Sequence, residues 1–193
     1  MSNKVVNTTC EINKKNSKEF TKSINNNIKK MRKSNFNEKD YNPKYLGDGL
    51  SKTYKININD IDLTCKKIKK IKEEEDIIKN EIKLLKLLSY EIHFPIFYNA
   101  IESKQHIFLL YRYIEGIDLF EIMKHPTFSL NTKESISTII FEIVLGLEYL
   151  FSYNYIHLDI KPENIIIKKE KPIRIKIIDL AFCKKLNNSD NKL

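Results

Sequence analysis

The chain has 193 residues, 41% of them hydrophobic, which suffices for one folded domain with a core and excludes a fully disordered protein. Its formal net charge is +9, its N-terminal sequence lacks the apolar segment of a signal peptide, and we expect no apolar run long enough to span a bilayer. The three cysteines are far apart and form no C-x-x-C pair. They predict a reduced intracellular protein, cytoplasmic or nuclear, without a disulfide framework or zinc site.

The positive charge is concentrated in residues 1–40, which contain ten Lys/Arg and four Asp/Glu. We expect this Asn- and Lys-rich segment to be a solvated, disordered tail. The alternative is an arm that binds nucleic acid or an acidic partner. Nucleic acid is disfavoured because the tail has no interleaved aromatic residues for base stacking. A polar tail is also expected at 187–193, which leaves 41–186 for the folded domain.

From Tyr41 onwards the sequence takes on a strand-like alternation through YLGDGLSKTYKI and IDLTCKKI. EEEDIIKNEIKLLKLLSY then places apolar residues at helical spacing, with acids at its start where the helix dipole favours them. FPIFYNAI and HIFLLYRYI predict two more strands, TKESISTIIFEIVLGLEYLFS a second helix, and IIIKK and IRIKIID a final pair of short strands. Together these elements predict a small sheet with one helix, followed by a helical segment and a hairpin.

Two of the four glycines, Gly47 and Gly49, lie two residues apart between strand-like runs. Glycine there lets backbone N–H groups approach a phosphate, although a hairpin turn explains the pair equally well. The strand-like sequence that follows excludes a P-loop, which would open a helix. Lys66 ends one strand-like run, and Glu81 lies in the middle of the first helix. A carboxylate from that helix could hold the lysine ready for nucleotide phosphates, but Lys66 taken alone is more typical of a solvated lysine.

The stretch HLDIKPEN, from His157 to Asn164, favours the nucleotide-binding interpretation over a solvated lysine and a simple hairpin turn. Asp159, Lys161 and Asn164 are closely spaced in a polar loop between an apolar helix and an apolar strand, and Asp179 ends a later strand. Phosphoryl transfer needs a carboxylate base, oxygen ligands for Mg²⁺ and a cation on the moving phosphate. Asp159 can be the base, Lys161 the cation, and Asn164 and Asp179 the metal ligands. The whole ordered set is difficult to explain as an accidental polar turn.

At this point the sequence resembles the eukaryotic protein kinase family from about Tyr45 to about Leu186. HLDIKPEN is similar to the catalytic loop H-R-D-x-K-P-x-N, with Lys161 typical of the serine/threonine branch. LTCK resembles the strand that carries the ATP lysine, and DLA resembles the metal-binding D-F-G motif. The resemblance implies an α+β fold: an antiparallel N-lobe sheet with one helix, plus the start of a helical C-lobe, incomplete because the sequence stops soon after the D-F-G-like motif.

The resemblance also implies ATP and Mg²⁺ as ligands and a protein as substrate. The residues implied to bind the nucleotide lie in the glycine loop, the ATP-lysine strand, the first helix and the hinge LLYRYIEGIDLF: Leu46, Gly47, Gly49, Lys66, Glu81, Tyr113 and Asp118. The hinge would make Tyr111 the gatekeeper and place Asp118 near the ribose. The sequence departs from the family pattern at four positions. Lys52 replaces the third glycine, Leu158 replaces the arginine of H-R-D, and Leu180 and Ala181 replace the last two residues of D-F-G. None of these replacements removes a charged catalytic group.

Three functions remain open from the sequence. The first is a serine/threonine protein kinase or its ATP-binding portion, the second a catalytically silent kinase-like binding module, and the third a small-molecule kinase, which Lys161 and Pro162 disfavour. The helix that precedes HLDIKPEN is apolar over more than one face. We therefore expect it to need neighbours on several sides, and expect the chain to self-associate, find a completing or regulatory protein partner, or unfold easily.

Overall fold

A computed structural model describes residues 37–48, 51–58, 60–125, 132–168 and 171–186. Residues 1–36 and 187–193, on which both expected tails mainly fall, lie outside the described residues. The chain divides into two compact units. The first comprises residues 1–70 and 98–112, and the second comprises residues 71–97 and 113–193.

The first unit is built on a five-stranded antiparallel sheet with strand order β1-β2-β3-β5-β4. The strands are β1 (Lys44–Asp48), β2 (Lys52–Ile58), β3 (Ile61–Lys69), β4 (Phe97–Glu102) and β5 (His106–Arg112). The central strand β3 pairs with β2 from Ile61 to Lys67 and with β5 from Leu63 to Lys69. Apolar and polar residues alternate from Ile61 to Lys66, as the sequence predicts, but the polar Thr64 and Lys66 are buried as well, so both faces of this strand are covered.

The sheet of the first unit is joined by a 3₁₀ turn, Glu38–Tyr41, which Asn37 caps by accepting a hydrogen bond from the Lys39 N–H. The Glu38 carboxylate is buried and lies 2.7 Å from Lys67 Nζ on β3. An ion pair therefore anchors this turn to the strand that carries Lys66.

The second unit contains three helices and two small sheets among its described residues. The helices are α1 (Glu75–Leu87), α2 (Leu119–Lys124) and α3 (Lys133–Ser152), and the sheets have strand orders β6-β8-β9 and β10-β7. The strands are β6 (Gly116–Asp118), β7 (Tyr155–Ile156), β8 (Ile165–Lys168), β9 (Ile175–Ile177) and β10 (Lys184–Lys185). Strands β8 and β9 form the antiparallel hairpin that IIIKK and IRIKIID predict.

Helix α3 begins after Thr132, whose hydroxyl accepts a hydrogen bond from the Ser135 N–H. A Cβ on Gly146 would lie 2.7 Å from Ile177 Cδ1 and 3.0 Å from His93 Cβ, so the absence of a side chain lets α3 pack closely here. Glu142, one turn earlier, is buried, and its carboxylate lies 2.6 Å from Arg174 Nη1 and 3.4 Å from His93 Nε2. These contacts fix the loop after α1 and the start of β9 on α3.

By length and composition α3 is apolar enough to cross a membrane, so the expectation that no run reaches this length was wrong. The core helix of a globular protein can have the same length and composition. Here the helix packs on β7 and β9, and its buried Glu142 pairs with Arg174, whose side chain is half-exposed. The predicted fold class is confirmed: a five-stranded antiparallel sheet, one amphipathic helix, and the first elements of a helical lobe.

Candidate active site

The loop between β7 and β8 holds the carboxylate of Asp159 on two sides. Lys161 Nζ lies 2.9 Å from Asp159 Oδ2, and Asn164 Nδ2 donates to the same oxygen at 2.9 Å and to the Asp159 main-chain carbonyl at 2.9 Å. The hydrogen bond to Asp159 raises the pKa of Lys161, which therefore stays cationic at neutral pH. Three of the residues that the sequence singles out thus lie together in one loop.

Local geometry explains why this sequence forms that loop. Pro162 begins a single 3₁₀ turn, Pro162–Asn164. The fixed φ of proline suits the first position of such a turn. The Asn164 N–H donates to the Lys161 carbonyl at 3.0 Å, and the Asn164 side chain is buried. Leu158 has a φ of 64°, a strained backbone conformation for a residue with a branched side chain. With this backbone conformation the side chain of Leu158 is exposed and that of Asp159 is partly buried.

The buried imidazole of His157 stabilises the loop that contains Asp159. Its Nδ1 accepts a hydrogen bond from the Asp159 N–H at 3.3 Å, which requires an unprotonated nitrogen there. Burial lowers the pKa of His157, against the opposing effect of the Asp159 and Asp179 charges. The imidazole is therefore neutral at physiological pH and can keep accepting this bond.

Asp179 lies two residues beyond the end of β9, so the prediction that it ends this strand was wrong. Its φ of 59° is incompatible with a strand and brings the chain into a turn. On the preceding side, the Ile178 N–H donates to the Asn164 carbonyl at 2.9 Å. The residue that precedes Asp179 is therefore hydrogen-bonded to the loop that contains Asp159. Leu180, which follows, is fully buried.

Glu81 lies on the buried face of α1 with Ile78, Leu84 and Leu85. Its neighbour Asn80 donates from Nδ2 to the Cys183 carbonyl at 2.8 Å. Helix α1 is therefore linked by a side chain to the segment that follows Asp179. No sequence signal singled out Asn80, because an isolated amide on an amphipathic helix is ordinary.

Lys66 and the glycine loop belong to the first unit. Lys66 is buried on β3, opposite Thr53 of β2 and Leu109 of β5. Leu46 is the extra residue at a β-bulge between β1 and β2, and its side chain is exposed. A Cβ on Gly47 would meet no protein atom within 4 Å, and its φ is not positive. Gly49 lies outside the described residues.

The two hinge residues lie in the second unit. Tyr113, just after β5, is partly buried. Asp118 ends β6 and caps α2, since its Oδ1 accepts a hydrogen bond from the Glu121 N–H at 2.8 Å. Asp118 thus has a structural role that the hinge resemblance did not suggest. The pattern of Asp118 with Glu121 three residues later is a readable helix-start signal.

The oxygen donors of the site fit magnesium. No group of three or more His, Cys, Asp or Glu side chains among the described residues is arranged to hold a metal ion. Asn164 and Asp179 offer instead one amide and one carboxylate oxygen, and Mg²⁺ is commonly held by one or two such ligands together with phosphates and water. Because the Asn164 amide nitrogen donates to Asp159, its carbonyl oxygen is the atom suited to a cation.

Comparison with known proteins identifies the family of this chain. A family model described as the protein kinase domain matches residues 41–193, and the chain belongs to that family. The chain is 34% identical over 119 residues to myosin light chain kinase 3 of Rattus norvegicus, a match that covers 62% of this chain and 15% of the rat protein. It is 31% identical over 138 residues to the serine/threonine-protein kinase CLA4 of Candida albicans, covering 72% and 13% respectively. The chain thus spans less than a sixth of the length of these two relatives.

Proposed function

We propose that this chain is the ATP-binding and catalytic portion of a serine/threonine protein kinase that transfers the γ-phosphate of MgATP to a protein hydroxyl. The geometry of Asp159 carries the proposal, because its carboxylate is held at 2.9 Å by both Lys161 and Asn164. A carboxylate fixed in this way can orient a hydroxyl and accept its proton as the new oxygen–phosphorus bond forms.

The remaining residues would act on charge and position. Lys161 stays cationic and would neutralise the phosphoryl group as its bond to the β-phosphate oxygen breaks. Lys66, Glu81, Leu46, Gly47 and Gly49 are the residues we assign to the nucleotide phosphates. Asn164 and Asp179 would hold the metal ion, and Tyr113 and Asp118 would bind the adenosine. Magnesium, when bound, supplies positive charge to the phosphate oxygens.

Nucleotide binding is tested by thermal unfolding of the purified chain with and without MgATP. At about one hundred times the dissociation constant, binding should stabilise the wild type by roughly 2.7 kcal/mol. Lys66→Met should abolish the shift, whereas Lys69→Met, at an exposed position on the same strand, should retain it. A wild type without any shift would contradict the binding proposal.

Catalysis is tested separately through Asp159→Asn, which keeps the shape of the side chain and removes its basicity. Phosphate transfer to a mixture of protein substrates should fall by about 10²- to 10⁴-fold, while nucleotide stabilisation is retained. Glu163→Gln, an exposed acid in the same loop, is the matched control and should remain active. If wild type and Asp159→Asn both bind ATP and neither transfers phosphate, the chain is a silent binding module. Transfer to small molecules only would favour a small-molecule kinase.

A further inference from the structure

We propose that Asn80 is a positioning residue that couples helix α1, and with it Glu81, to the segment carrying Asp179. The inference rests on the proposed function, because it assigns Asn80 a role in aligning two parts of the nucleotide site. The primary observation is the 2.8 Å hydrogen bond from Asn80 Nδ2 to the Cys183 carbonyl, which links residues 103 positions apart in sequence.

The accepting carbonyl belongs to a defined turn. The Cys183 N–H donates to the Leu180 carbonyl at 3.2 Å, and Leu180 is fully buried. Immediately after this turn, β10 pairs with β7, which leads into the loop of Asp159. The turn is thus held at its start by Leu180, at its end by β10, and at Cys183 by Asn80.

Asp179 makes this anchoring necessary. Its φ of 59° is a left-handed conformation, which persists in a residue other than glycine where the surroundings fix the chain. The Ile178–Asn164 bond fixes the chain before Asp179. The Asn80–Cys183 bond fixes it four residues after Asp179, so a change in the position of α1 is passed to the Asp179 turn.

Charge around Cys183 supports the same conclusion. Burial raises the pKa of its thiol to about 12, with further contributions from the negative charges of Glu81 and Asp179. The thiol therefore lies near both carboxylates, stays protonated, and is unreactive. Because both neighbouring side chains are acidic, a neutral donor such as Asn80 can join the helix to the turn without adding a third negative charge.

The coupling is tested with three substitutions of Asn80 and one control. Asn80→Ala removes the donor, Asn80→Asp replaces it with a charged acceptor of the same shape, and Asn80→Gln retains an amide. Lys83→Ala changes an exposed residue on the same helix. Thermal shifts are measured with ATP alone and with MgATP, and amide hydrogen exchange is followed over residues 179–186 without nucleotide.

We expect Asn80→Ala and Asn80→Asp to weaken MgATP binding by about fivefold to tenfold, the equivalent of about 1–1.4 kcal/mol, with a smaller effect on ATP alone. Exchange over residues 179–186 should quicken in both variants. Asn80→Gln should restore part of the affinity, and Lys83→Ala should match the wild type. A merely structural role would lower the melting temperature without changing the magnesium-dependent part of the shift.

Two results would overturn the inference in distinguishable ways. If the wild type binds MgATP and Asn80→Ala and Asn80→Asp bind it equally well, Asn80 has no positioning role and the proposed function stands. A wild type that does not respond to ATP at all would overturn the proposed function and this role together. Should Asn80→Asp fail to fold, Asn80→Ala and Asn80→Gln still provide the comparison.

Discussion

Two residues at or next to the proposed catalytic groups have a strained backbone. Leu158 and Asp179 both have positive φ, each at a cost on the order of 1–3 kcal/mol that surrounding contacts must offset. One precedes Asp159, and the other is itself a proposed metal ligand. Sequence could not predict the conformation of Leu158, because positive φ is normally signalled by Gly, Asn or Asp; Asp179 is of a residue type that adopts it more readily. The residue types and spacing of Asp159, Lys161 and Asn164 were readable, but their shared hydrogen bonds were not.

Gly47 provides a test at the scale of one residue. A Cβ here would meet open space and no positive φ requires glycine, so the fold itself does not demand this residue. We therefore expect Gly47→Ala to leave the apo melting temperature nearly unchanged and to weaken ATP binding by crowding the phosphates. The measurement is the apo melting temperature together with the ATP-induced shift.

The matched control for Gly47→Ala is Gly146→Ala. Its Cβ would approach Ile177 Cδ1 at 2.7 Å, so it should destabilise the fold through overpacking. An unchanged ATP shift in Gly47→Ala would count against a phosphate contact at Gly47.

Long elements with clear periodicity and the short strands β8 and β9 were predictable, whereas β6 and α2 were not. Helix α1, helix α3 and strands β1 to β5 all occur where the alternation or helical spacing of apolar residues predicts them. The first helix ends at Leu87, earlier than the apolar pattern to Tyr90 suggests. Strand β6 and helix α2 have three and six residues, too few for a periodic signal. They form because Asp118 caps α2 and β6 pairs with β8.

The 3₁₀ turn at Glu38–Tyr41 provides a test at the scale of one element. Lys67→Ala would leave the buried Glu38 carboxylate without its partner, so we expect a loss of roughly 3–5 kcal/mol in unfolding free energy. Glu38→Gln should cost less, because Lys67 is partly exposed and can reach water. Denaturant titration of the two variants measures the difference.

The control for this pair is Glu102→Gln, which breaks the exposed Lys70–Glu102 ion pair of the same sheet. It should change stability by about 1 kcal/mol or less, as solvent-exposed pairs usually do. Equal and small losses for Lys67→Ala and Glu102→Gln would show that the turn is not anchored through Glu38.

At the scale of the whole molecule, the most unusual feature is the uncovered apolar face of α3. Five large side chains on this helix are 48–61% exposed: Ile136, Ile140, Phe141, Val144 and Phe151. Ile136, Ile140 and Val144 are spaced four residues apart, so they form one stripe along the helix. The buried residues Ile139, Gly146 and Leu150 lie on the other side. The sequence predicted a helix apolar on more than one face, and the part of the chain that the structure describes covers only one of them.

A continuous apolar stripe of this size favours association in water, because burying it removes nonpolar surface from solvent. We expect the purified 193-residue polypeptide to self-associate with rising concentration, as measured by light scattering or sedimentation. Ile140→Lys combined with Val144→Lys should shift the population toward monomer, since each lysine would be desolvated in an apolar contact. Ile92→Lys, at an exposed apolar position in the loop after α1 that is not part of the stripe, should leave association unchanged. A monodisperse wild-type monomer with one cooperative unfolding transition of ordinary stability would contradict the prediction, because the exposed stripe would then be tolerated without a partner.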